Sequence, residues 1–405
     1  MKKLQNRKRT LFKAVFYGLL SSLFFKKKAN ADVSITEFEK NTGFRNYGFP
    51  SKFERIYRWI VANPVNKGNG VSYTPLSKLK GTLVPNGLHF ERHHYGVEHI
   101  DPSKYHLSVI VGLKELKLSL DLLKNMEMFT KKTFIECGGN SNVMYNPEPL
   151  QTSVDLIHGL FSFSEWTGIK LETIFGEKSI SKLIKGYEWV EFISYDKGNY
   201  NISLPLQYIL EEGFLAIYQN GEPIRPEQGY PLRLIIPGWE GSTHVKWLKK
   251  IIFRKKPAFT RNETSRYTDL LPSGKSIQYS FKMDSKSVIL NPSHGQKINK
   301  GKVNVSGLAW SGSSFIKKVE ISFDNGRSWK NIKLHKKKSN LIRFNYSFFW
   351  KGNEIIIQSR CVDGKNKKQK SRISFLKKMG KNAYYHYSGI TSWLIDDNGN
   401  VRHTY

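Results

Sequence analysis

Cysteine is almost missing from this chain, with only Cys137 and Cys361 in 405 residues. Two cysteines allow at most one disulfide, so no disulfide framework holds the fold together. Neither cysteine belongs to a CxxC pair or a CxxCH haem-attachment motif, and HExxH does not occur. These absences remove the zinc-ribbon, iron–sulfur, c-type haem and zincin readings. A redox enzyme built on this chain must therefore hand its electrons to another polypeptide. Acidic residues are also scarce, 33 against 65 Lys and Arg, which gives a formal net charge of +32. Such an excess raises nucleic acid as a partner. The basic residues are instead dispersed in short runs (Lys26 to Lys28, Arg254 to Lys256, Lys336 to Lys338), and no recognised nucleic-acid motif gathers them. They read as a solvated surface, with a smaller share for docking anionic substrates or an acidic protein. No nucleic-acid partner is expected.

The apolar stretch Ala14 to Phe25 is too short to span a bilayer comfortably, so no stable membrane anchor is expected. It follows Lys2, Lys3 and Arg7-Lys8-Arg9 and precedes Ala29-Asn30-Ala31, the order of an export signal with a small-x-small cleavage site over residues 1–31. Lys8-Arg9-Thr10-Leu11-Phe12-Lys13 looks like a twin-arginine signal with Lys in the first arginine place. The expected location is the periplasm.

What is present is a globular composition, 39% hydrophobic and 13% aromatic, at a length that suits two domains. Residues 32–85 mix short helical stretches with Pro/Gly punctuation and form an N-terminal extension. Residues 86–284 are mixed α and β. Tyr105 to Gly112, Lys132 to Ile135 and Leu232 to Pro237 have strand character, Leu206 to Glu212 has helical spacing, and Asn220-Gly221 signals a hairpin. From 285 to 405 short strands follow at near-regular spacing, from Ser287–Pro292 through 302–308, 317–323, 329–334 and 341–348 to 354–362, with a second hairpin signal at Asn325-Gly326. That rhythm predicts an immunoglobulin-like β-sandwich, and the whole chain reads as α+β.

Three clusters could carry chemistry. The first is His89-Phe90-Glu91-Arg92-His93-His94-Tyr95-Gly96-Val97-Glu98-His99. Its adjacent His93 and His94 point to different sides of an extended segment, so a loop for anions and heterocycles, with Arg92 as planar donor, fits better than a zinc site. The second is Phe134-Ile135-Glu136-Cys137-Gly138-Gly139-Asn140, where a strand ends in a thiol and two glycines let the backbone approach something closely. On spacing alone Cys137 is either a buried structural thiol or a soft metal ligand. The third runs from Gln219 to Trp247, two glycine-bearing loops flanking a short strand and tipped with Arg225, Arg233, His244 and Lys246. It could hold a phosphate and a polar ring, or be ordinary loop chemistry.

In this order the clusters resemble the molybdopterin oxidoreductases of the sulfite oxidase family, and within it the molybdenum subunits of sulfane dehydrogenases. His158-Gly159-Leu160 and Ser164-Glu165-Trp166-Thr167-Gly168 add to the match, which covers roughly residues 80–400. The resemblance implies one molybdenum–molybdopterin per chain with Cys137 as the metal's thiolate. It places Phe90, Glu91, Arg92, His93, His94, Asp196, Gln228, Arg233, His244, Val245 and Lys246 around the cofactor. Arg92 and Tyr267 then become the catalytic residues facing substrate, and Gln228 stands where animal sulfite oxidases have a histidine. It also implies a homodimer through the C-terminal domain, a c-type cytochrome as electron acceptor, and no haem in this chain, since the segment before residue 80 is too short for a cytochrome-b5-type domain.

The departures bear on substrate. Free-sulfite oxidases carry an arginine shortly after the metal cysteine, where this chain has Ser141-Asn142, and a late arginine near the position of Lys377 or Lys378. Loss of a bidentate donor weakens recognition of a small planar oxyanion. The expected substrate is therefore sulfane sulfur on a carrier protein's cysteine, as in thiosulfate oxidation. A periplasmic sulfite dehydrogenase acting on free sulfite is the alternative, and a non-catalytic basic binding module is the reading from another class. Cys361 reads as structural.

Overall fold

The computed structural model describes residues 50–405 apart from 52, 177–181, 279–280 and 336–337. The expected export signal, residues 32–49 and 52 of the N-terminal extension, and Lys336 and Lys337 of the third lysine run lie outside the described residues. No helix among the described residues is long and apolar enough to cross a membrane.

Among the described residues three sheets precede residue 270. Trp59–Ala62, Gly70–Tyr73 and Glu91–His93 form a small antiparallel sheet in which Val71 faces Arg92 in register. Over residues 59–73 this corrects the expectation of short helical stretches. β-branched Ile60, Val61 and Val71 suit strands; the first two strands pair across residues 63–69, and the third strand joins Gly70–Tyr73 from across residues 74–90, beyond any local pattern. The second sheet joins Phe129–Glu136, Phe161–Ile169, Phe214–Gln219 and Glu222–Pro223, with Arg233–Ile235 also paired to Phe214–Gln219. Asn220 and Gly221 make its hairpin, both with positive φ (48° and 83°), the geometry in which Asn-Gly is favoured. The third sheet is five-stranded, in spatial order Lys114–Ser119, His106–Val111, Leu248–Arg254, Trp189–Ser194, Asn201–Pro205. The helix Leu206–Glu212 occurs where its spacing placed it.

Residues 286–404 form two packed antiparallel sheets, the immunoglobulin-like sandwich. One holds Lys286–Asn291, Gly301–Trp310 and Leu341–Trp350. The other holds Lys330–Asn331, Ile316–Ser322, Ile355–Asp363, Ser392–Ile395 and Val401–Thr404. The strand expected over 329–334 shortens to Lys330–Asn331. The last two strands and the helix Arg372–Met379 add to the expected set. Cys361 is buried in this core, its thiol pushed up by desolvation, in keeping with a structural role.

One apolar cluster runs from the sandwich into the preceding part of the chain. Phe134, Met144, Val154, Ile157, Phe161 and Phe163 join Trp310, Val319, Ile357 and Trp393 in it, and the Phe161 and Trp310 rings lie 4.3 Å apart. Each fully buried side chain of this size contributes roughly 1.5–3 kcal/mol relative to exposure. The strand Phe129–Glu136 that ends next to Cys137 is thus held by core packing from both sides.

Candidate active site

Cys137 sits where two cavities meet. One is lined by Phe90 to Gly96, Cys137, Asp196, Gln228, Arg233, His244, Val245, Lys246, Trp247 and Tyr267. Every side chain singled out in the sequence for cofactor or catalysis thus borders a single space, drawn from six stretches of chain (90–94, 137, 196, 228–233, 244–246 and 267). The other is lined by Val61, Ala62, Tyr73, Arg92, His94, Cys137, Asn142, Arg266, Tyr267, Tyr384 and Tyr385, among others. Arg92, His94, Cys137 and Tyr267 are common to both.

Glycines allow the loops to close on Cys137. A β-carbon on Gly138 would lie 2.3 Å from Glu240 Oε1, and one on Gly241 would lie 2.8 Å from the Glu136 carbonyl. The close approach read from the Gly138-Gly139 pair is therefore, at Gly138, to the Glu240 side chain. Gly138→Ala should push the buried Glu240 side chain aside and cost about 1–3 kcal/mol, read as a lower urea midpoint.

The first cavity is a trap for an anion. Arg233, 5% exposed, donates from Nη1 to the Gln228 carbonyl (3.1 Å) and Gln228 Oε1 (2.9 Å), while its buried Nε has no partner among the described residues. Desolvation lowers this guanidinium to about 9. Lys246 is pushed well below the usual ammonium range by burial and by Arg233. Gln228 Nε2 donates to the Phe90 carbonyl at 3.0 Å, tying the two loops together. A buried cationic set with an unmet donor is what a phosphate-bearing ligand satisfies.

Proton positions follow from the donors. Lys246 Nζ donates to His93 Nδ1 at 2.9 Å, so the proton of neutral His93 is on Nε2, which donates to Glu91 Oε2 at 2.7 Å. Glu91 is also paired with Arg58, so its carboxylate is occupied within the protein. Arg92 Nη2 donates to His94 Nδ1 at 3.0 Å, which puts the His94 proton on Nε2, 3.3 Å from the Tyr267 hydroxyl oxygen. The Tyr267 O–H is then free to donate into the cavity beside Cys137. Burial raises Tyr267 well above an ordinary phenol, which keeps that proton in place.

His93, His94 and His244 are lowered to about 2, 3 and 3, in each case first by desolvation. A native value below the unfolded 6.5 means that the folded state binds fewer protons. The stabilisation is present above pH 6.5 and is lost as pH falls toward 3. Cofactor-free protein should therefore show a urea midpoint that falls steadily from pH 7 to pH 4; an unchanged midpoint contradicts these assignments.

Cys137 is raised to about 11, burial being the main cause and Arg92 an opposing one. Such a thiol is protonated when alone, and a bound cation would deprotonate it. Among the described residues no three His, Cys, Asp or Glu side chains group to hold a metal. The histidine cluster itself disperses: His89 is buried against Trp166, His93 points to Glu91 and His94 to Tyr267. A single soft thiolate beside a cationic pocket fits a metal whose other ligands come with an anionic organic cofactor.

Two expectations about the substrate side change. Lys377 and Lys378 are exposed on the helix Arg372–Met379 and border neither cavity. The basic group that reaches the second cavity beside Arg92 is Arg266, on the turn before Tyr267. Ser141 is buried and turned inward, and Asn142 faces the cavity. Tyr384 and Tyr385, not foreseen from sequence, reach back from the sandwich. Their amides donate to the Asp269 carboxylate at 2.8 and 3.0 Å, and Tyr385 Oη donates to the Arg266 carbonyl at 2.6 Å.

The chain matches the oxidoreductase molybdopterin binding domain over residues 94–261 and the Mo-co oxidoreductase dimerisation domain over 277–386. It is 28% identical to mitochondrial sulfite oxidase of Homo sapiens over 272 residues, 62% of this chain and 49% of that protein. It is also 28% identical to nitrate reductase [NADPH] of Pichia angusta over 314 residues, 70% of this chain and 35% of that one. The chain thus spans about half the length of the sulfite oxidase it matches. Among solved structures, the sulfane dehydrogenase SoxCD from Paracoccus pantotrophus aligns with a TM-score of 0.83 and 32% identity, covering 89% of this chain and 93% of that one.

Proposed function

The chain belongs to the sulfite oxidase family of molybdopterin oxidoreductases, and from that premise we propose that it oxidises sulfane sulfur held on a carrier protein's cysteine. The observation that carries this reading is the second cavity, walled by Tyr73, Tyr267, Tyr384, Tyr385 and Asn142, with Val61 and Ala62 of an exposed strand along it. Aromatic and apolar walls suit a sulfur on a peptide arm better than a small dianion alone. The 32% identity to a sulfane dehydrogenase supports the same reading. Free sulfite is the second reading, favoured by Arg92 and Arg266 lining the same cavity.

The cofactor, when bound, supplies oxygen transfer and two-electron redox chemistry. Cys137 Sγ would hold its metal; Arg233, Lys246 and Arg92 would hold its anionic end, with Phe90, Gln228, Asp196, His244 and Val245 shaping the pocket. Arg92 would stabilise negative charge developing on substrate oxygen. Tyr267 would hold a proton at Oη, oriented by His94 and Arg92. Tyr267→Phe should lower kcat by roughly 100-fold or more with metal content unchanged, which a combined metal and steady-state assay reads. We further propose export to the periplasm by the twin-arginine route, a homodimer through the domain matched over 277–386, and a c-type cytochrome as electron acceptor. The substrate is tested by comparing kcat/KM for a persulfidated carrier protein with that for free sulfite. A clear preference for the carrier is expected, and a clear preference for sulfite makes the protein a sulfite dehydrogenase.

A further inference from the structure

Behind Cys137 lies a group of charged and polar side chains sealed from water, none of which lines either cavity. Glu136 ends its strand immediately before Cys137, and Lys286 opens the first strand of the sandwich. Their side chains are 2% and 1% exposed. Lys286 Nζ donates to Glu136 Oε1 at 3.1 Å and to Ser141 Oγ at 2.7 Å. The other carboxylate oxygen accepts from Trp310 Nε1 at 2.6 Å, and Asn140 Nδ2 donates to Oε1 at 2.9 Å. Because Ser141 accepts from Lys286, its hydroxyl donates to His158 Nδ1 at 2.7 Å. The sandwich holds the other side too, where the His386 amide donates to the Gly138 carbonyl at 2.6 Å.

A buried ion pair is a poor way to stabilise a fold, since desolvation returns most of the Coulomb gain and apolar residues of similar volume often do as well. Here the surroundings are apolar core, with Phe134, Phe161 and Trp310 close by. Charge at this place therefore asks for another use. The carboxylate belongs to the residue preceding Cys137, in a low-dielectric setting where one uncompensated charge acts strongly on its neighbours.

We propose that Glu136 and Lys286 are positioning residues for Cys137: the sandwich grips the ligand-bearing strand end and fixes the electrostatic potential at the thiolate. Outer-shell charge and hydrogen bonding are recognised means of tuning a metal centre. Loss of Lys286 leaves a negative charge behind the thiolate and favours the oxidised metal. Loss of Glu136 leaves a positive charge and favours the reduced metal. The proposal rests on Cys137 being the metal's ligand.

The test is a redox titration of the metal centre in holoenzyme, followed spectroscopically, for wild type, Lys286→Met, Glu136→Gln and the double variant, with metal content measured on each. The expected result is opposite shifts for the two single variants, each on the order of tenfold in the oxidised-to-reduced ratio at fixed ambient potential, and a near-return to wild type in the double. Shifts of the same sign, or none in metal-loaded single variants, overturn it and leave the pair a scaffold. Should Lys286→Met not fold, Glu136→Gln against the double variant decides: an upward shift cancelled in the double supports the proposal, and one left unchanged overturns it. Cys137→Ser is titrated in parallel. A centre unaltered by that substitution removes the ligand premise, an outcome distinct from failure of the pair's role.

Discussion

Cys137→Ser protein is expected to fold and to lose metal-dependent turnover by more than the roughly 10- to 100-fold that outer-shell changes cost. Cys137 is the one cysteine at the cavities, and Cys361 is buried in the sandwich core where it cannot substitute. A serine oxygen is smaller and harder than a thiolate, and its alcohol proton is far less readily given up. The fold should survive, because the Cys137 backbone bonds, its amide to the Leu160 carbonyl at 3.0 Å and its carbonyl from the Asn140 amide at 2.9 Å, do not involve sulfur. Circular dichroism and metal-normalised turnover check the two halves. Full turnover in the variant would remove the ligand assignment.

Arg233→Met separates cofactor binding from stability. Truncating one partner of a buried charge pair costs about 2–5 kcal/mol, so retention of the pterin should fall at least about 30-fold. Protein prepared without cofactor should change little in melting temperature, because the desolvation cost that lowers the guanidinium to about 9 disappears with it. Lost stability with retained pterin would mean that Arg233 is a structural cation serving Gln228. Pterin fluorescence after release, set beside calorimetry of the cofactor-free form, makes the comparison.

Much of the site was legible because its residues come in local clusters. Phe90 to His94, Cys137 with its two glycines, and Gln228 to Lys246 each announce a loop with unusual polar content, and each contributes side chains to one cavity. The sandwich was legible from strand spacing and from Asn325-Gly326, whose positive φ values fit the expected turn. What sequence did not show depends on contacts far apart in the chain. Lys286 reads as one lysine among many, yet it meets Glu136 150 residues away. Tyr384 and Tyr385 have no motif, and only the path of the chain after the helix Arg372–Met379 brings them to Asp269 and the cavity. The same limit misplaced the late cation. Lys377 and Lys378 face solvent, while Arg266, beside the recognised Tyr267, borders the cavity.

On this account the cavity bordered by Cys137, Arg233 and Lys246 holds a molybdenum–pterin cofactor. Metal analysis of the purified protein, paired with pterin fluorescence after acid release, tests it most directly. Molybdenum and pterin in equal amounts, close to one of each per chain, are the predicted result. Protein that purifies folded from a cofactor-producing host with neither molybdenum nor pterin would contradict it.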